Sequence, residues 1–249
     1  MRISFPKLAI PKRLSKKGDN GKLLIIAGGR TYHGAPALSI LGARRFCDLI
    51  YFFPGEPSPG VLQSVFSIPE VILTNNLVDT DCVLYGPGLG NAKFSFSKLR
   101  HYSKKVIDGD GLKRVKKSDL KGAIITPHEN EFREMFGTPS SPKNVVSFAK
   151  KYSCTILKKG PTDLISDGKR LIKNNTGNPG LTKGGTGDVL AGLTAALYTN
   201  NTSLIAAASA AYILGLTGDI LYKKYRYAYS ASDVAETLPH AYLQLLKKK

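Results

Sequence analysis

The sequence predicts an α/β fold of three layers, with a mostly parallel central sheet, helices on both faces and antiparallel strands at one edge. Three observations carry this. Short apolar runs alternate with longer helical patterns, the rhythm of strand–helix–strand crossovers. Between Cys154 and Lys173 the apolar runs follow one another too quickly for helices to intervene, which calls for hairpins at a sheet edge. Finally, 249 residues with 42% hydrophobic and 22% charged side chains are ordinary globular proportions. They exclude a disordered, collagenous or coiled-coil chain and leave ample chain for one core.

In chain order the expected strands are Leu23–Ala27, Leu49–Phe53, Val71–Leu73, Cys82–Tyr85, Lys105–Ile107, Ala123–Thr126, Cys154–Lys158, Asp163–Ser166 and Arg170–Lys173. The expected helices are Ala35–Cys47, Lys93–Ser103, Glu129–Phe136, Pro142–Tyr152, Asp188–Tyr198, Ser203–Tyr222 and Ser232–Leu246. Asp167-Gly168 is a hairpin turn signal, and Ser232 before Asp233 and Glu236 reads as an N-cap with an acidic first turn. With no repeat and no low-complexity linker, residues 1–249 are expected to form a single domain whose Lys247–Lys249 end frays.

Other classes are weighed against composition. Cys47, Cys82 and Cys154 are three in number and form no CxxC pair, so a disulfide framework and a zinc ribbon are both unsupported and a reducing cytoplasm is expected. The start, Met1-Arg2-Ile3-Ser4-Phe5-Pro6, lacks the apolar run of a signal peptide. Val189 to Gly218 carries no charge, but Thr199–Ser203 interrupts it and the apolar block Leu204–Leu216 is too short to span a bilayer. Two buried helices joined by a polar turn are expected instead, with no membrane partner.

Charge is the unusual quantity. Thirty-six Lys and Arg against eighteen Asp and Glu give +18, which favours anionic partners. Nine basic residues crowd Lys98–Lys121. Aromatic interleaving and nucleic-acid motifs are missing there, so a solvated basic face is the reading preferred over a nucleic-acid footprint.

Five polar or glycine-rich clusters fall where strands give way to helices, the edge at which open α/β sheets bind ligands. The strongest runs from Gly177 to Asp188 and enters a helix directly. Its glycine amides, with Gly185, Thr186 and Gly187 nearest the helix start, form a candidate anion hole. Asp188 there is open to two readings, a helix cap or a group that engages a hydroxyl meeting a phosphate. The others are Gly86–Gly90, Thr126–Glu131 with His128, Lys158–Asp163, and Gly28–Ala35. The loop is neither a Walker A motif nor a dinucleotide fingerprint. His33, His101, His128 and His240 show no metal-ligand spacing, and a Mg²⁺ bridging phosphates would leave little trace, so metal ligands are left unknown.

In order along the chain, these clusters resemble the ADP/ATP-dependent NAD(P)H-hydrate dehydratases, a family of the ribokinase-like superfamily. The matching pieces are Lys17-Gly18-Asp19-Asn20-Gly21-Lys22, Tyr32-His33-Gly34-Ala35, Gly86-Pro87-Gly88-Leu89-Gly90, and Thr126-Pro127-His128 with Glu131. Asn178-Pro179-Gly180 follows, then Gly184-Gly185-Thr186-Gly187-Asp188-Val189-Leu190-Ala191-Gly192 and Ala231-Ser232-Asp233. The resemblance implies a ribokinase-like fold and a lyase that returns the S-form of NADH or NADPH hydrate to the cofactor. ADP or ATP, with Mg²⁺, would phosphorylate the C6 hydroxyl and phosphate would be eliminated. By that pattern Asp188 is catalytic, and Ala35, Gly88, His128 and Asp188 bind substrate. Lys159, Gly160, Pro161, Thr162, Asp163 and Gly187 hold the adenine nucleotide. A homo-oligomer is implied, a tetramer among the possibilities, in the cytoplasm, with no nucleic-acid partner. The N-terminal epimerase domain that many relatives carry is not expected in this chain. Where the family usually reads Asp-Ala-Asp-Ala-Leu-Asn, this chain has Asp108-Gly109-Asp110-Gly111-Leu112-Lys113, and its nucleotide turn has Pro161-Thr162-Asp163 in place of a Gly-x-Gly-Thr pattern. The runner-up is a small-molecule kinase such as hydroxyethylthiazole kinase, and the alternative of another class is a basic nucleic-acid-binding protein without catalysis.

Overall fold

A computed structural model describes residues 8–247. The expectations for Met1–Pro6 and for the last two lysines lie outside the described residues. Nine strands form one sheet among the described residues, in the order β3-β2-β1-β4-β5-β6-β7-β8-β9. They are β1 (Lys22–Ala27), β2 (Leu49–Pro54), β3 (Val71–Leu73), β4 (Cys82–Tyr85), β5 (Lys105–Ile107), β6 (Ala123–Ile125), β7 (Thr155–Lys158), β8 (Asp163–Ser166) and β9 (Leu171–Asn174). Every pairing from β3 through to β7 is parallel, and β7–β8 and β8–β9 are antiparallel. The expected architecture is therefore the observed one. Gly168 takes a positive φ of 83° in the β8–β9 turn, where a side chain would also strike Lys150.

Helices α1 (Ala35–Ala43), α2 (Pro59–Phe66), α6 (Thr186–Asn200), α7 (Ser203–Tyr225) and α8 (Ala231–Lys247) pack with Leu23 and Ile25 on one face. Helices α3 (Asp110–Arg114), α4 (Glu129–Phe136) and α5 (Pro142–Tyr152) pack with Leu24 and Ile26 on the other. Successive β1 side chains thus feed two cores, and five of its six residues are fully buried. Truncating one such leucine to alanine costs about 2–5 kcal/mol, the transfer energy plus the cavity left behind.

Several expected elements are corrected. Lys93–Ser103 is not an α-helix; only a 3₁₀ turn over Phe96–Leu99 forms. Ser95 accepts from the Ser97 amide and bonds its hydroxyl, so serine side chains compete locally for the backbone. Helix α1 ends at Ala43 rather than Cys47. The cap of α8 is Ser230, whose hydroxyl accepts from the Asp233 amide while Asp233 accepts from the Ser230 amide; it is not Ser232. Helix α7 outlasts the apolar block, and over its 23 residues it is long and apolar enough to cross a membrane, yet 78% of its most apolar window is buried against the rest of the fold. Helices α2 and α3 were not expected at all.

The chain order reverses between β1 and β4, so their carboxyl ends open a crevice at the switch point. The loops that follow β1 and β4 run in close backbone contact there. Gly28 donates to the Pro87 carbonyl at 2.9 Å, and a Cβ on Gly29 would meet the Leu89 carbonyl at 2.6 Å.

Candidate active site

A cavity of about 240 Å³ opens at this edge and brings together Tyr32, Ala35, Gly88, Asp110, Lys113, His128, Glu131, Glu134 and Asp188. All four residues expected to bind substrate therefore line one space. A larger cavity of about 700 Å³ lies at the opposite end of the sheet, around Asn20, Asp48 and Tyr242. It holds none of the residues expected to act.

Asp188 stands in the first turn of α6, after Gly185, whose φ of 93° only a glycine adopts without strain. A side chain at Gly185 would also strike Leu38 at 2.4 Å. The preceding loop is held from outside. Asn178 accepts from the Gly180 amide at 3.0 Å and from the Tyr229 hydroxyl at 2.7 Å, Asp219 accepts from the Gly177 amide at 3.1 Å, and the Thr186 hydroxyl donates to the Leu181 and Lys183 carbonyls. Gly187 has no such crowding: a Cβ there would find only Lys159 Nζ, at 3.6 Å. Gly177, Gly180 and Gly185 serve packing and turn geometry, whereas Gly184 has nothing within 4 Å of a Cβ and Gly187 leaves the helix start open to an anion.

Among the described residues, no hydrogen bond to a helix amide occupies the Asp188 carboxylate. Burial, reinforced by the negative charge of Asp108 and Asp110 and opposed by Lys159, raises its pKa from 3.8 to about 7. That is the range in which a carboxylate accepts a proton efficiently near neutral pH.

His128 does two things. It caps α4, its Nδ1 accepting from the Asn130 and Glu131 amides at 3.2 Å each, while Glu131 accepts from the His128 amide at 2.8 Å. With Nδ1 occupied as an acceptor, Nε2 carries the proton, and the side chain remains 53% exposed. Capping and cavity-lining thus coexist. Glu129 turns elsewhere, to Ser140 and Lys158, and these bonds depress its pKa to about 2.

Of the residues expected to hold nucleotide, Lys159 to Asp163 lie at the β7–β8 turn and Gly187 in the first turn of α6. Lys159 Nζ is 2.8 Å from Asp108 and 3.9 Å from Glu131. Burial alone would lower its pKa, but the carboxylates of Asp108, Glu131 and Asp188 outweigh it and raise the value. The turn is otherwise closed on itself: Gly160 donates to Asp163 at 3.0 Å, Asn174 donates to Asp163 at 3.0 Å, and Thr162 bonds Asn175 at 2.8 Å. Gly160, Thr162 and Asp163 shape the turn in this structure, Pro161 is exposed, and Lys159 alone of the set comes beside Gly187.

Asp108, Asp110 and Glu131 were missed as site groups. Asp110 accepts from the Gly90 amide at 2.7 Å and so ties the β4 loop to α3. The Asp-x-Asp spacing directly after a strand was the signal available. Among the described residues, no group of three or more His, Cys, Asp or Glu forms a self-sufficient metal site. Asp110 lines the cavity, and a Mg²⁺ bridging phosphates needs only one or two carboxylates from the protein.

The chain matches the family model of NAD(P)H-hydrate dehydratase over residues 23–240. It belongs to that family. It is 35% identical to the ADP-dependent (S)-NAD(P)H-hydrate dehydratase of Cenarchaeum symbiosum, with 92% of this chain and 90% of the relative covered. It is 36% identical to a bifunctional NAD(P)H-hydrate repair enzyme of Methanocaldococcus jannaschii; there 91% of this chain aligns but only 49% of the relative, so the chain spans about half the length of that bifunctional enzyme. The fold superposes on the ADP/ATP-dependent NAD(P)H-hydrate dehydratase of Bacillus subtilis co-crystallised with ATP and Mg²⁺, with a TM-score of 0.82, 24% identity and 95% and 94% of the two chains covered. The expected fold is thereby met; the chain also superposes on a ribokinase-like superfamily protein of Enterococcus faecalis with a TM-score of 0.83 and 24% identity, and family membership sets aside the hydroxyethylthiazole kinase reading.

Proposed function

We infer that the protein is a nucleotide-dependent NAD(P)H-hydrate dehydratase, a lyase that repairs hydrated NADH or NADPH. One observation carries the chemistry: a carboxylate with a pKa near 7 at the mouth of an open helix start, in the same cavity as His128, Ala35 and Gly88.

Asp188 takes the proton from the C6 hydroxyl as that oxygen attacks the terminal phosphoryl group of ADP or ATP. The amides at Gly185–Gly187 and the Lys159 ammonium face the charge that develops on the phosphoryl oxygens. The ring nitrogen then expels phosphate, and loss of a ring proton restores the reduced nicotinamide. Ala35 and Gly88 offer a close backbone approach to the hydrate, and His128 Nε2–H donates to it. Mg²⁺, when bound, neutralises phosphate charge. Asp110, which lines the same cavity, is the carboxylate that would hold it, leaving Asp188 free to take the proton. We propose that residues 1–249 act as one domain, in the cytoplasm, as a homo-oligomer and without nucleic acid. The oligomer is measured directly by light scattering on the eluting peak.

The test is optical. Incubation with NADH hydrate, ADP and Mg²⁺ restores the reduced-nicotinamide absorbance and releases one phosphate per cofactor. Phosphoryl transfer to a vitamin alcohol, with no return of absorbance, would instead favour a kinase.

A further inference from the structure

The carboxyl ends of three neighbouring parallel strands, β5, β6 and β7, carry Asp108, Thr126 and Lys159 side by side. Asp108 is 3% exposed and Thr126 is 1% exposed. One oxygen of Asp108 accepts from both Thr126 Oγ1, at 2.6 Å, and Lys159 Nζ, at 2.8 Å. The backbones are fixed as firmly. The Asp108 carbonyl accepts from the Gly111 amide at 3.0 Å, the Lys159 amide donates to the Pro127 carbonyl at 2.9 Å, and a Cβ on Gly86 would meet the Asp108 carbonyl at 2.0 Å. A carboxylate this deep is costly unless a paired charge and hydrogen bonds offset its burial, and Asp108 has both. Its partner's ammonium ends beside Gly187, at the open start of α6.

We propose that Asp108 is a positioning residue: its carboxylate, anchored by Thr126, holds the Lys159 ammonium beside Gly187 at the place where the transferring phosphoryl group passes. A lysine on a free four-carbon stem adopts many rotamers, and only a few of them aim at that point. Pinning Nζ before substrate arrives removes that search from the chemical step. Glu131, at 3.9 Å, is the looser second contact. The proposal rests on the dehydratase reading.

A double-mutant cycle between Asp108→Asn and Lys159→Met tests it, read in kcat for NADH hydrate and, by calorimetry, in ADP affinity. Asp108→Asn alone lowers kcat roughly 10- to 100-fold with the hydrate KM within about threefold. In the K159M background the same change has almost no further effect, because the group it positions is gone. Thr126→Val, which keeps the shape and removes one anchor, repeats the pattern more weakly and covers the case in which Asp108→Asn does not fold. Equal losses from Asp108→Asn in both backgrounds overturn the proposal, as does a defect that excess Mg²⁺ rescues in both, which would make Asp108 a metal ligand. Parent protein that binds ADP but never restores absorbance sinks the dehydratase reading instead, and the coupling is then read in ADP affinity alone: a non-zero coupling supports the Asp108–Lys159 link and additivity refutes it.

Discussion

The two helical layers of this molecule are built on different physical rules. Where α1 crosses α6, the backbones touch: a Cβ on Gly192 would meet the Ser39 carbonyl at 1.9 Å, and one on Gly42 would meet the Val189 carbonyl at 2.4 Å. Across the sheet, α4 and α5 meet instead through large rings, with Phe136 and Phe148 stacked at 4.5 Å and Tyr152 following at 5.9 Å from Phe136. The first layer contributes Asp188 and Ala35 and fixes the loop for the anion. The second contributes His128 and Glu131 through a helix cap. The active site is the seam between a rigid small-residue layer and a ring-packed one, and each side supplies the part of the chemistry its packing suits.

The sharpest way to break this comparison uses two glycines five residues apart on α6. Gly187→Ala adds a methyl group at the open helix start, where only Lys159 Nζ lies within 4 Å. Turnover is expected to fall roughly 10²–10³-fold, the usual cost of disturbing one donor to a developing oxyanion. Melting temperature should hold or rise, since alanine is the better helix former by up to about 1 kcal/mol. A lowered melting temperature with unchanged turnover would refute that division of labour. Gly192→Ala is its converse. It forces α1 and α6 apart and should cost about 3 kcal/mol, roughly 6–12 °C in Tm by calorimetry, while activity per folded molecule is kept.

These glycines also show what the sequence conveys. The strand rhythm, the antiparallel edge and the Gly177–Asp188 loop were all legible, because apolar runs and glycine clusters are local signals. That Gly187 serves an anion whereas Gly192 serves a helix crossing is a tertiary distinction, and the letters are identical. Helix α2 was missed because Pro57, Pro59 and Gly60 disfavour a helix interior, although Ser58-Pro59 is itself a helix start, with proline at the first position. Helix α3 spans five residues and is set by Gly109 at a φ of 54°, too short for any periodicity. Asp108 read as one carboxylate among several. Its burial against Lys159 exists only once β5, β6 and β7 are aligned.

A third prediction sharpens the electrostatics of the seam. The native state holds the Asp188 proton more tightly than the unfolded chain, with a pKa of about 7 against 3.8. The ionised group therefore costs stability that grows as pH rises from about 4 and is full above about 7. Asp188→Asn removes that cost. It should stabilise the protein by about 2 kcal/mol at pH 8, a value halved from the full shift for solvent screening, and by almost nothing at pH 3.5. Equal melting temperatures for parent and variant at pH 8 would contradict the buried, unneutralised carboxylate. For the parent, kcat/KM should climb with pH through an acid limb near 7.

The smallest expected effect lies on the rim. Lys113, 60% exposed and 3.8 Å from Glu134, is the lysine among the described residues lining a cavity that also holds Asp110, Glu131, Glu134 and Asp188. Lys113→Asn should raise the hydrate KM about two- to fivefold with kcat unchanged, and should flatten the rise of KM with salt, because exposed charges are screened within about 8–10 Å. An unaltered salt dependence would assign the capture of the anionic hydrate to the wider +18 surface.

The central claim is tested most directly by a single turnover: enzyme in excess over NADH hydrate, with ADP and Mg²⁺, followed by absorbance and by phosphate release, for the parent and for Asp188→Asn. The account predicts that the parent returns one reduced cofactor per phosphate released. The variant should bind ADP within a few-fold of the parent and turn over roughly 10²–10⁴ times more slowly, the usual worth of a positioned acid–base group. A folded Asp188→Asn protein that restores absorbance at nearly the parent rate would contradict it and leave Asp188 as no more than an acidic residue at the start of a helix.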